Sequence, residues 1–89
     1  MSAKPKPPEE LPPPGDVRAV LAYNVRLLRV GKSWSQEDLA MECDLDRTYV
    51  SAVERARWNI SLGNIQRLAS ALDTEPWRLL RHPTAADDA

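Results

Sequence analysis

Apolar positions along the chain recur at helical rather than strand spacing, in five short stretches. The first runs from about Asp16 to Val30, where Val17, Val20, Leu21, Leu27 and Leu28 make an apolar stripe. Asp16 is placed to cap it and Gly31 lies near its end. The second starts at Ser35, with Asp38 three residues on approximating a capping box. Its inner face is Leu39, Ala40 and Cys43. The third starts at Asp46, a residue suited to an N-cap, and turns Val50 and Val53 inward. The fourth starts at Ser61 and carries Leu62, Ile65, Leu68, Ala69 and Leu72. The fifth covers about Pro76 to Arg81, with proline in its first turn and Trp77, Leu79 and Leu80 apolar. No stretch alternates with period two long enough for a strand, so the expected fold is all-α.

The flanks read differently. The first fifteen residues hold six of the eight prolines, which blocks helix propagation and central-strand pairing. An extended, flexible arm is expected over residues 1–15, either a solvated leader or a segment whose Lys4 and Lys6 touch phosphate. A flexible tail is expected over 82–89, since Pro83 stops the last helix, and His82 is expected to be solvated. Residues 16–81 would then form one domain, a core small enough to gain from a partner subunit.

Charge narrows the class of partner. The net charge is −1, which argues against a polybasic surface. Between positions 16 and 81 ten basic residues face nine acidic ones, which leaves room for a local basic face. The single cysteine, Cys43, excludes an intrachain disulfide and reads as a small core residue in a reducing compartment. One histidine and one cysteine provide no zinc cluster and no Cys–His pair. No cofactor, metal or effector pocket is legible. With no membrane-length apolar run and no signal-peptide core, the expected location is cytoplasmic.

The most informative surface is the outer side of the third helix. Arg47, Thr48, Ser51, Ala52 and Arg55 share a face, and three of them are small. A helix with small outer side chains can enter a major groove about 12 Å wide. Arg47 lies in the first turn, from which an arginine can bond both acceptors of a guanine. Asp44 sits where the chain reverses between the second and third helices, and Asp tolerates positive φ there. Leu45 would plug that turn.

The segment "SQEDLAMECDLDRTYVSAVERARWNISLGNIQRLASAL" resembles the helix-turn-helix of the Cro/CI-type (Xre) repressors, which include the lambda and 434 repressors. The resemblance covers about residues 17–80 and rests on Gln36, Leu39–Ala40, Val50–Ser51, Val53–Glu54 and Asn59–Ser61 at the family's spacing. It implies a compact five-helix, lambda-repressor-like domain similar to small restriction–modification controllers and prophage repressors. By position it implies Arg47, Thr48, Ser51 and Ala52 as base-facing. It implies Ser35, Gln36, Tyr49, Arg55, Arg57 and Asn59 as phosphate contacts, and an ion pair between Arg29 and Glu54. Two positions depart from the family's glycines. At Asp44 the change is tolerable. At Ala56 helix 3 either runs on or accepts strain, which affects the loop bearing Arg57 and Asn59.

The function so implied is a sequence-specific regulator of transcription, a homodimer on double-stranded DNA with a palindromic operator. Leu72, Trp77, Leu79 and Leu80 are the expected subunit contact. Trp34 should cover the start of helix 2, Trp58 should pack, and Trp77 should dock on helix 4 or on a second subunit. An antitoxin-like or other protein-interaction module, with the proline-rich arm as its hook, is the alternative. An enzyme is the weakest reading, because no nucleophile–base pair or phosphate-cradling glycine loop is present.

Overall fold

The computed structural model describes residues 6–84. Lys4 lies outside the described residues. The chain forms five helices: α1 (Val17–Gly31), α2 (Gln36–Glu42), α3 (Arg47–Glu54), α4 (Leu62–Ala71) and α5 (Pro76–Leu79). There is no strand among the described residues.

Side-chain caps start α1, α2 and α4. The Asp16 carboxylate accepts from the Ala19 N–H at 3.1 Å, and the Ser61 hydroxyl accepts from the Asn64 N–H at 3.1 Å. Ser35 and Asp38 close a full capping box, with reciprocal bonds of 3.0 and 2.8 Å. Asp46 has N-cap geometry but its side chain makes no capping bond.

The first four helices end alike, and none uses glycine. Ser33, Asp44, Ala56 and Asp73 all take positive φ, between 55° and 61°. In each case the following N–H reaches back to a carbonyl of the last helical turn: Trp34 to Arg29, Leu45 to Ala40, Arg57 to Ala52, Thr74 to Ala69. This pattern is the Schellman motif, which satisfies carbonyls left over at a helix end. At Ala56 the chain therefore takes strain rather than a longer helix.

The core is a layer of Leu39, Leu68, Leu79, Val25, Val50 and Val53, all fully buried. Trp34, Leu45, Tyr49 and Ile60 pack against its edge. Burial of one such aliphatic side chain is worth about 1.5–3 kcal/mol. Cys43 belongs to this core, where its thiol donates to the Leu39 carbonyl at 3.0 Å. Burial pushes that thiol's pKa up from its ordinary range, as suits a packing residue.

A helix of four residues has no stability of its own, and α5 is held by α1. The Asn24 side-chain amide donates to the carbonyls of Leu79 at 2.8 Å and Arg81 at 2.9 Å. A buried asparagine thus caps the end of α5 from another helix.

The described parts of the flanks touch each other and the bundle at a few points. Pro12 is buried, and its carbonyl accepts from His82 Nε2 at 2.9 Å. A proline carbonyl only accepts, so this bond places the proton on Nε2 and leaves Nδ1 to accept from Thr84. The Lys6 carbonyl accepts from Arg26 Nε at 2.9 Å. Residues 6–15 have no regular structure and are mostly exposed, but they touch the bundle at Lys6 and at the buried Pro12, and His82 is half-buried rather than solvated. Stiff proline backbone loses little entropy on docking, which favours a few well-placed contacts.

Candidate nucleic-acid interface

Helix α3 stands between core and solvent. Val50 and Val53 fix its inner side, and Arg47 and Thr48 are exposed on its outer side. Ser51 is half-buried and its hydroxyl accepts from Arg55 Nη2 at 3.1 Å. Among the described residues Arg47 has no hydrogen-bond or ion-pair partner. Ala52 is a correction: it is covered, at 6% exposure, and not base-facing. At 3.6 residues per turn it lies about 40° beyond Thr48, on the flank toward Tyr49 rather than at the centre of the face.

A buried polar network braces the other end of α3. Arg29 grips Glu54 with two bonds, Nε to Oε2 at 2.6 Å and Nη2 to Oε1 at 2.9 Å. The third arm of the guanidinium donates to the Trp34 carbonyl at 2.7 Å. Gln36 donates its amide to Glu54 Oε1 at 3.1 Å. The side chains of Arg29 and Glu54 are 7% and 3% exposed, so the pair is desolvated and fully bonded. Three helices and the α1–α2 turn meet in it. It fixes the angle between α2 and α3 and holds Gln36 beside Arg47.

The remaining expected contacts fall into place unevenly. The Ser35 N–H is taken by Asp38 in the capping box, so it is not available to a phosphate. The Ser35 hydroxyl oxygen accepts from the Asp38 N–H but keeps its own proton to donate. Arg55, Arg57 and Asn59 are exposed along the loop after α3. Tyr49 is half-buried and stacks edge-on with Trp58, ring centres 5.6 Å apart. Trp58 itself stays 46% exposed next to Arg57 and Asn59, which its assignment to packing did not foresee. No helix-period signal covers that loop, so nothing local told an exposed from a buried tryptophan.

A groove of about 480 Å³ runs beside Arg47, lined by Lys6, Arg26, Arg29, Ser35, Gln36 and Glu37. Lys6 and Arg26 come from elements 20 positions apart and meet only in the fold.

At the opposite end the expected subunit contact divides. Leu72 and Leu79 are buried in the chain's own core, so neither is available to a partner. Trp77 is exposed, with the Arg78 and Arg81 guanidinium carbons 4.7 and 5.7 Å from its ring centre. Leu80 shares with Val17, Ile60 and Ile65 a mostly apolar groove of about 310 Å³. Among the described residues no group of three or more His, Cys, Asp or Glu could hold a metal ion, and no helix is long and apolar enough to cross a membrane.

A bundle of this kind, with a short helix presented outward on a buried brace, defines a helix-turn-helix protein. The helix-turn-helix family model matches residues 25–76, and the chain belongs to that family. A hypothetical transcription factor of Neisseria meningitidis serogroup B is 63% identical over 76 residues, covering 85% of this chain and 72% of that protein. The crystal structure of the hypothetical transcription factor NHTF from Neisseria is 58% identical, covers 96% of this chain and 98% of its own, and superposes with a TM-score of 0.92. Control protein C.BamHI of Bacillus amyloliquefaciens is 46% identical over 70 residues, 78% of this chain and 86% of its own length. The restriction–modification controller C.Esp1396I, solved as a tetramer with its natural 35 base-pair operator, is 27% identical with a TM-score of 0.65. That match covers 71% of this chain and 82% of the controller chain.

Proposed function

We propose that the protein is a sequence-specific regulator of transcription that binds double-stranded DNA as a homodimer, with α3 in the major groove of a palindromic operator. The observation that carries this is Arg47 in the first turn of α3, without a hydrogen-bond or ion-pair partner among the described residues and exposed beside Thr48, while Val50 and Val53 anchor the same helix. Arg47 is the side chain to read a guanine, with Thr48 and Ser51 completing the base-facing set. Gln36, the Ser35 hydroxyl, Arg55, Arg57 and Asn59 are the phosphate contacts that set register. C.Esp1396I on its operator supports the DNA reading by relationship. The relatives include a hypothetical transcription factor and a control protein, which favours regulation over catalysis.

The dimer face we assign is Trp77 and Leu80 together with Val17 and Ile60, in place of the two leucines that the core consumes. Val17, Ile60 and Leu80 line one groove and Trp77 is exposed three residues before Leu80; apolar surface of this kind marks an association site. The antitoxin-like alternative needs the arm as a free hook, and the bonds that tie the Lys6 and Pro12 carbonyls to Arg26 and His82 speak against it.

The test is selection of bound sites from random duplex DNA, followed by sequencing. The expected product is two inverted half-sites about 10 base pairs apart, centre to centre. Enrichment of a single asymmetric site would overturn the homodimer, and no enrichment would overturn the DNA-reading helix.

A further inference from the structure

We propose that the proline-rich arm is part of the DNA-binding surface, and that Lys6 and Arg26 together hold a backbone phosphate beside the base-reading helix. This rests on the DNA-binding reading above. The groove next to Arg47 is lined by three cations that lack a carboxylate partner among the described residues: Lys6, Arg26 and Arg47. Glu37 is the one carboxylate in its lining among the described residues, and Arg29 is already matched by Glu54. The surplus is positive, and the occupant it suits is a polyanion already drawn to that face. A phosphodiester of the bound duplex has that chemistry.

The arm is built to keep Lys6 there. Pro12 is buried and bonded through its carbonyl to His82, which fixes one end. Arg26 Nε binds the Lys6 carbonyl, which fixes the other. Pro7 and Pro8 stiffen the intervening chain. The terminal guanidinium nitrogens of Arg26 have no partner among the described residues and are left to serve an anion. A flexible leader would lose entropy on reaching the phosphate, whereas a docked one has lost it on folding.

Lys6→Ala separates charge from anchoring, because Arg26 binds the main chain of Lys6 and that carbonyl remains. The experiment is fluorescence anisotropy of the full chain with the selected site and with random duplex, across a range of salt. Lys6→Ala should weaken binding several-fold on both duplexes without changing their ratio. The slope of log K against log salt should become shallower by about 0.9 for each phosphate that is no longer neutralised. Lys6→Arg should restore both. Wild-type affinity and slope in Lys6→Ala, with Arg47→Ala impaired, would overturn the arm's contribution alone. A wild-type chain that binds neither duplex would overturn the DNA-binding reading and the arm with it.

Discussion

The two sides of α3 follow opposite rules. Toward the core every polar atom is matched: Glu54 takes two bonds from Arg29 and one from Gln36, and no side-chain nitrogen or oxygen buried among the described residues lacks a partner. Toward solvent Arg47 is matched by nothing among the described residues. The inner side is fully paired, and the outer side leaves Arg47 open to solvent. A residue on the first side should govern stability, and one on the second should govern binding.

The largest effect should come from Glu54→Ala. It leaves the Arg29 guanidinium buried without its counter-charge, which typically costs about 3–5 kcal/mol of stability. Equilibrium denaturation measures this, and a loss below about 1 kcal/mol would mean that the network does not brace the fold. Replacing both partners with apolar residues of similar volume should recover most of the loss, because no orphan charge remains.

Arg47→Ala should do the reverse. Its stability should stay within about 0.5 kcal/mol of wild type. Its operator affinity should fall by about 1–3 kcal/mol, with relaxed base preference at one position of each half-site.

Ala56→Gly comes next. Left-handed backbone costs a residue with a Cβ about 1–2 kcal/mol, and glycine's greater unfolded entropy returns part of that. A net gain of about 1 kcal/mol should appear in denaturation, and Asp44→Gly should gain less, since Asp tolerates that region. The smallest effect belongs to Lys32→Ala. The Lys32–Asp73 bond of 2.7 Å is a surface pair whose carboxylate is 78% exposed, so its loss should change stability by less than about 1 kcal/mol.

How far the sequence could be read follows from how local each interaction is. The starts of α1, α2 and α4 were legible because Asp16, Ser35 and Ser61 bond within three residues. The positive φ at Asp44 was legible for the same reason. The Arg29–Glu54 pair spans 25 positions and was reachable only through the family resemblance. Leu72 and Leu79 read as a subunit contact in the sequence, although the core holds both. A four-residue helix such as α5 is too short to define a stripe, so periodicity could not say which of Leu79 and Leu80 points inward. The reach of Asn24 to the end of α5 spans 55 positions and leaves no pattern. Ala52 was misplaced because the edge of a helix face is set by its neighbours, not by spacing. The arm reads as solvated because its composition is polar and proline-rich, yet its docking depends on single bonds to Arg26 and His82.

The most direct measurement compares wild type and Arg47→Ala on the selected operator and on random duplex, with both proteins shown equally folded by thermal melting. A loss on the operator much greater than on random DNA is the expected result. Equal affinity of the two proteins for the operator would mean that the outer side of α3 does not read bases.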